Sequence, residues 1–303
     1  MSSDHGSSAR AILYAFLANL GIAITKSVAA AFTNSGSMLA EAIHSYADCA
    51  NQVLLYIGLR QAEYPPTPQH PLGYGKITYF WSFVVALLLF SVGGLFSIYE
   101  GWHKLHEPEP LNKVWIALTV LGVSILLESG SLVGCLREIA KIRRGRPFRE
   151  WLTHTRNAEL VVVLGEDIAA LAGLVLAFAF IGTAALTGDT RYDALGSIFI
   201  GVVLIIVAAF IVVRIRTLLI GKSAEPALRE QIDALISRDP AIERLLNTIT
   251  LQFGPRVVLA AKVKMRSGLT IDEAVDHLNA LERDIKQAFP EVGWIFVEPD
   301  NTD

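Results

Sequence analysis

Three ionisable residues, Glu41, His44 and Asp48, punctuate the stretch SGSMLAEAIHSYADCANQ, which runs from Ser35 to Gln52 inside an apolar region long enough to cross a bilayer. On an α-helix, at about 100° per residue, they fall within roughly 60° of one another and form a single stripe. An unpaired charge at mid-bilayer costs on the order of 2.5–3.5 kcal/mol even on the mildest scale, so the stripe must face protein, water or a metal. His44 and Asp48 stand one helical turn apart, so an imidazole nitrogen and a carboxylate oxygen can reach the same ion. A second acidic group occurs in VLGEDIAAL, where Glu166 and Asp167 are adjacent and Glu159 lies two turns earlier; Glu128 and Asp193 are the other carboxylates set in apolar runs. Intramembrane carboxylates mark an ion pathway by default.

His44, Asp48 and Asp167 are therefore the first candidates for direct ligands, with the fourth position open to water or to Glu166. Mixed nitrogen and oxygen donors suit Zn2+, which prefers four tetrahedral ligands. No cysteine joins the set, and an ion that must leave again should not be held by a closed thiolate site. Glu166 lies about 100° around a helix from Asp167, so the two need not point the same way. The remaining groups have plainer expectations. Glu128 is expected to pair with a hydroxyl or amide across a helix interface. Asp193 follows GDTRY at a helix start, where a carboxylate complements the dipole. Glu159 is expected near the membrane surface. His103 and His106 in GWHKLHEPEP read as surface-loop residues, with metal collection as the alternative, and His70 as part of a turn.

Six apolar runs must position these groups: roughly 11–32, 36–59, 77–100, 112–136, 157–183 and 192–216. About 20 residues suffice to cross the hydrocarbon core, and an apolar content of 52% concentrated in the first two thirds of the chain indicates an integral membrane protein. Gly93, Gly94, Gly122, Gly130 and Gly134 are expected to permit close helix packing. Basic residues cluster between Arg137 and Arg156 (Arg137, Lys141, Arg143, Arg144, Arg146, Arg149, Arg156), beside Arg60 and Lys76, and after the sixth run, at Arg214, Arg216 and Lys222. By the positive-inside rule both termini and these loops are cytoplasmic, and the Arg-rich loop can touch lipid headgroups. The start, MSSDHGSSAR, carries no cleavable signal pattern, so the first run reads as a retained span; no mitochondrial presequence is visible in it either, and the expected location is a bacterial cell inner membrane.

Composition changes near residue 221, which divides the chain into a transmembrane domain, 1–221, and a cytoplasmic domain, 222–303. Pro226 to Ser237 has helical spacing, Leu245 to Gln252 and Val257 to Met265 alternate as strands about an FGP turn, Ile271 to Ala288 is an amphipathic helix, and Val292 to Val297 is a last strand. The order αββαβ predicts a small α/β sandwich of ferredoxin-like type with helices on one sheet face. The net charge of −3 gives no field for nucleic acid, and the two cysteines, Cys49 and Cys135, lie in apolar runs where no disulfide framework is expected. Neither a cofactor motif nor a His-Glu-x-x-His sequence is found.

SGSMLAEAIHSYAD in the second run, HPLGYGK before the third, YDALGSI opening the sixth and LLIGKSAEP leaving it are together specific. On these motifs the chain resembles the cation diffusion facilitators, the metal/proton antiporters that include the SLC30-class zinc transporters. The resemblance covers nearly the whole chain. The Glu-Asp pair in the fifth run, with the second-run motif and YDALGS, is similar to the zinc-transporter-nine-like branch. It implies a transport site on His44, Asp48 and Asp167, and departs from the family at Val163, where His or Asp is usual, with Glu166 offered instead beside Asp167. It also implies a metallochaperone-like tail that forms a homodimer. The tail here has one histidine, His277, and no cysteine, so little cytoplasmic metal binding is expected. The function so implied is efflux of a divalent metal, Zn2+ in the first place and Mn2+, Co2+ or Fe2+ as alternatives, exchanged for protons that compete for the same lone pairs. The rival readings are an intramembrane metalloenzyme, a non-transporting metal sensor or scaffold, and a passive channel.

Overall fold

The computed structural model describes residues 4–108, 110–143 and 145–302, with side-chain detail for residue 16 and from residue 19 onward. Arg144 of the basic loop lies outside the described residues. Long helices occupy all six apolar runs: α1 (Asp4–Thr33), α2 (Gly36–Ala62), α3 (Ile77–His106), α4 (Val114–Ile142), α6 (Ala158–Thr187) and α7 (Arg191–Ile220). Among the described residues four of these, α3, α4, α6 and α7, are long and apolar enough to cross a membrane. The stripe of polar and charged residues on α2 lowers its mean hydropathy, which is why length and composition alone do not single it out.

Helix α3 is regular except at Leu89–Leu95, where the turn widens into a π-helix around Gly93 and Gly94. Its glycines allow α7 to approach closely. A Cβ on Gly94 would come within 2.6 Å of Ile205, and one on Gly201 would come within 2.6 Å of the Gly94 carbonyl. The expected packing role thus holds for Gly93 and Gly94. It does not hold for Gly122, Gly130 and Gly134, which have nothing within 4 Å of a built Cβ, because that face of α4 is turned away from other helices. The basic loop contains a short helix that periodicity did not suggest, α5 (Phe148–His154), started by Pro147 and anchored by the buried Trp151. Seven residues are too few for an apolar period to be read.

Two compact units emerge. The first comprises Met1–Gly58, Trp81–Gly145 and Glu159–Ile215, the second Leu59–Phe80, Arg146–Ala158 and Arg216–Asp303. The second unit therefore contains the Pro/Gly-rich loop after α2 and the end of the basic loop as well as the tail. In the tail, α8 (Pro226–Ile236), β1 (Ile242–Phe253), β2 (Arg256–Met265), α9 (Ile271–Ala288) and β3 (Val292–Pro299) follow in the expected αββαβ order. The sheet has three strands in the order β1-β2-β3, the first pair antiparallel and the second parallel. Val257, Leu259, Ala261 and Val263 alternate along β2 onto the face covered by Ile232 and Ile236 of α8 and Leu281 and Ile285 of α9. The opposite face is open, with an apolar row bordered by Asn247, Lys262 and Glu298. Ile249, Ala260 and Phe296 align across it in register, with Ile249 63% and Phe296 57% exposed.

The loop motif HPLGYGK belongs to this second unit through its glycines. Gly254, in the turn between β1 and β2, has φ +63°, and a side chain there would collide with the carbonyl of Gly75. In return a Cβ on Gly75 would lie 2.6 Å from the Phe253 carbonyl. Two glycines are needed because two backbones touch at this point. Tyr79 donates its hydroxyl proton to the Gly254 carbonyl at 3.2 Å, and Arg146 pairs with Glu225 at 2.9 Å within the same unit.

Candidate metal centre

The N-terminus of α2 is fixed before its polar stripe begins. The Ser35 hydroxyl caps the helix by accepting from the Met38 amide at 3.1 Å. Asp193, from the first turn of α7, accepts from the Ser35 hydroxyl and the Gly36 amide at 2.6 Å each and from the Ser37 amide at 3.2 Å. Asp193 was expected to serve its own helix; instead its carboxylate serves the dipole of α2. The first turn of α7 lies beside the start of α2, whose amides have no partners within their own helix.

One turn further, Glu41 is engaged by a residue that the sequence reading did not select. Lys26 of α1 donates to Glu41 Oε2 at 3.1 Å and to the Ser45 hydroxyl at 2.8 Å, and both charged side chains are essentially inaccessible, at 1% and 0%. Glu41 therefore answers a cation of the protein itself. Its other oxygen, Oε1, lies against Gly173 of α6, where any side chain would displace it.

His44 and Asp48 follow on the same face, with Nδ1 of His44 3.7 Å from Oδ1 of Asp48, too far for a hydrogen bond. Both ring nitrogens of His44 and Oδ1 of Asp48 are buried without a hydrogen-bond partner. Across from them, α6 presents both of its acidic residues. Asp48, Glu166 and Asp167 line one cavity of about 170 Å³, together with Gln52, Glu128, Ser131 and Val163. Asp167 Oδ1 accepts from the Ser131 hydroxyl at 3.2 Å while its Oδ2 is buried without a partner, and Glu166 Oε1 accepts from the Asn51 amide at 2.5 Å. Glu166 and Asp167 do not point the same way along α6, yet both reach the cavity, because it spans the width of that face.

Of the four predicted site residues, Asp48, Glu166 and Asp167 line the cavity, and His44 stands one turn before Asp48, its Nδ1 near Gly93 of α3. Among the described residues, no three His, Cys, Asp or Glu side chains converge closely enough to hold a metal ion in this conformation. Glu128 was expected to pair across a helix interface; it lines the cavity, and no hydroxyl or amide partner is found for it among the described residues. Asn51, Ser131 and Lys26 were missed. Asn51 carried a signal, since it follows His44 and Asp48 at the next turn of the same face. Ser131 and Lys26 carried none, because a lone hydroxyl or a lysine in an apolar run reveals no partner.

His103 and His106 sit in the last turn of α3 rather than in a loop; His103 is 3.5 Å from Glu107, and His106 Nδ1 is 2.9 Å from the Trp102 carbonyl. His70 stands in a turn closed by paired backbone hydrogen bonds with Thr67, its ring 4.4 Å from that of Tyr74.

A buried polar atom with no hydrogen-bond partner costs about 1–3 kcal/mol, and such atoms occur on Glu41, His44, Asp48 and Asn51 of α2 and on Asp167 of α6. One imidazole and several carboxylates so placed form a set that divalent cations and protons can both occupy. Comparison with known proteins agrees with this chemistry. Residues 12–220 match the model of the cation efflux transmembrane domain. The chain is 33% identical over 260 residues to the "Proton-coupled zinc antiporter SLC30A9, mitochondrial" of Xenopus laevis, covering 85% of this chain and 46% of the relative. It is 32% identical over 225 residues to "Metal tolerance protein C4" of Arabidopsis thaliana, covering 74% and 49%. It is 22% identical over 318 residues to the "Manganese efflux system protein MneP" of Bacillus subtilis, covering 98% and 97%. The chain spans about half the length of the first two of these relatives. With its cation efflux domain matched over most of its length and its buried carboxylates and imidazole set between apolar helices, the chain belongs to the cation efflux family and is an integral membrane protein.

Proposed function

We propose that the chain is a divalent-metal efflux transporter, a Zn2+/H+ antiporter, with His44, Asp48, Asp167 and Glu166 as the groups that bind the ion. The observation that carries this reading is the cavity lined by Asp48, Glu166 and Asp167, with buried unpartnered atoms on Asp48 and Asp167 and, one turn away, on His44. Metal and protons compete for the same lone pairs, so protonation from the opposite side releases the ion. Donors that do not close on a point in one conformation suit a carrier better than a storage site, and alternating access follows when α2 and α6 move relative to the other helices. The reading as a metalloenzyme is disfavoured, since the family is one of cation efflux proteins and the site carries no His-Glu-x-x-His motif. A specific observation favours Mn2+ as the second cargo: the groups lining the cavity itself are oxygen donors, with His44 set aside from it.

The finer architecture belongs to the same proposal. All six long helices span the membrane, α1 and α2 included, and residues 222–303 form the domain that follows the last span. The termini and the Arg-rich loop face the cytoplasm, where that loop meets anionic lipid. Near full-length alignment with the Bacillus relative supports a bacterial cell membrane. A homodimer through the metallochaperone-like tail is supported by the open apolar row Ile249, Ala260 and Phe296.

The test is Zn2+ uptake into proteoliposomes under an imposed pH gradient. Flux should be saturable, follow the gradient and fall at least about 100-fold in Asp48→Ala with Asp167→Ala. Undiminished flux in that double variant would refute the assignment, and flux indifferent to the gradient would identify a channel.

A further inference from the structure

Val163 lies one turn before Asp167 and lines the cavity, but it has no lone pair to offer. Glu166 is the nearest acidic alternative, yet its position about 100° around the helix leaves its long side chain several directions to take. The structure resolves that freedom through a residue of the other helix. Asn51 is fully buried, at 0% exposure, and its Nδ2 donates to Glu166 Oε1 at 2.5 Å. The amide is turned with its Nδ2 group toward that carboxyl oxygen, which accepts. The Asn51 carbonyl oxygen, Oδ1, is then left buried with no hydrogen-bond partner, one turn beyond Asp48 on the same helix face.

We propose that Asn51 is the positioning residue that sets the metal preference of this site: by holding Glu166 on the cavity it supplies a carboxylate where residue 163 supplies nothing. The inference rests on the transport-site reading above and deepens it. With Glu166 Oε1 committed to Asn51, a cation taken up by Glu166 engages the other oxygen as a single, directed donor. One imidazole and three carboxylates would then supply the four donors that Zn2+ prefers. A Glu166 released from Asn51 can swing or bind through both oxygens, which suits larger, higher-coordinate cations such as Mn2+ and Cd2+. Asn51 touches the ion only through Glu166, so its removal should act on selectivity more than on total binding.

The experiment is calorimetric titration of the purified full-length chain with Zn2+, Mn2+ and Cd2+, in wild type, Asp48→Ala, Asn51→Ala, Asn51→Leu, Glu166→Gln and the double variant Asn51→Ala/Glu166→Gln. Asn51→Ala leaves space and Asn51→Leu fills it, so a folding failure of one leaves the other to be read. The expected result is a fall in Zn2+ affinity of about tenfold or more, as for groups that support a ligand, with Mn2+ and Cd2+ changing less. The double variant should lose no more than Glu166→Gln alone. Unchanged metal order in both Asn51 variants, or a double variant whose losses multiply, would overturn the proposal. Should wild type bind no divalent metal, or Asp48→Ala bind as well as wild type, the transport-site reading itself fails; loss in Asp48→Ala with normal binding in the Asn51 variants removes only the role of Asn51.

Discussion

Replacing Lys26 by methionine is the sharpest probe of how the first unit is held together. In the native chain Lys26 bridges α1 and α2 through Glu41 Oε2 at 3.1 Å and the Ser45 hydroxyl at 2.8 Å, with exposures of 1% and 0% for the two charged side chains. Glu41 Oε1 already lacks a partner, so Lys26→Met leaves the whole carboxylate uncompensated. Breaking a buried pair in this way costs about 3–5 kcal/mol, whereas replacing both partners by apolar residues of similar volume is neutral or stabilising. Lys26→Met alone should therefore destabilise by about 3–5 kcal/mol, and Lys26→Met with Glu41→Met should return to within about 1 kcal/mol of wild type. At roughly 2–4 °C per kcal/mol for a chain of this order, the single variant should lose on the order of 10 °C in Tm. Thermal unfolding of the purified full chain in micelles, completed as a double-mutant cycle, measures both. A single-variant cost below about 1 kcal/mol, the range of exposed pairs, or a double variant as damaged as the sum of the singles, would refute the reasoning.

Asp193→Ala should cost about 2–3 kcal/mol through lost capping of α2, and Asp193→Asn about half of that, since three donors at 2.6 to 3.2 Å lose a charged acceptor; the same unfolding assay reads it. Gly254→Ala should destabilise the second unit by about 2 kcal/mol or more, combining a positive φ with a collision against Gly75, and limited proteolysis of the full chain should show earlier cutting in the tail. In α9 the Thr270 amide and hydroxyl, each 2.8 Å from Glu273 Oε2, hold the Glu273 carboxyl below the usual carboxylate range. The folded value is then below the unfolded one, so the cap's contribution is complete above a pH of about 4.3 and is lost as pH falls through the lower, folded value. Hydrogen exchange in the first turn of α9 should accelerate across that window, and Glu273→Gln should abolish the change.

What the sequence determined by itself lies in local pattern. Six apolar runs of spanning length became six long helices, the His44/Asp48 pair kept its one-turn spacing, and the αββαβ order of the tail was legible from alternation and helical period, because each signal is carried by residues near one another in the chain. Mean hydropathy alone understates α2, since the very groups that give the helix its chemistry are polar. Only the tertiary structure decided which polar groups meet. Glu166 is held by Asn51, 115 residues away, the start of α2 is capped by Asp193 from 157 residues away, and Glu41 is claimed by Lys26 rather than left to the site. Helical period assigns a residue to a face but not to a partner. Inside an apolar bundle, where an unmatched charge is expensive, the choice of partner decides which carboxylates hold the fold and which remain for an ion.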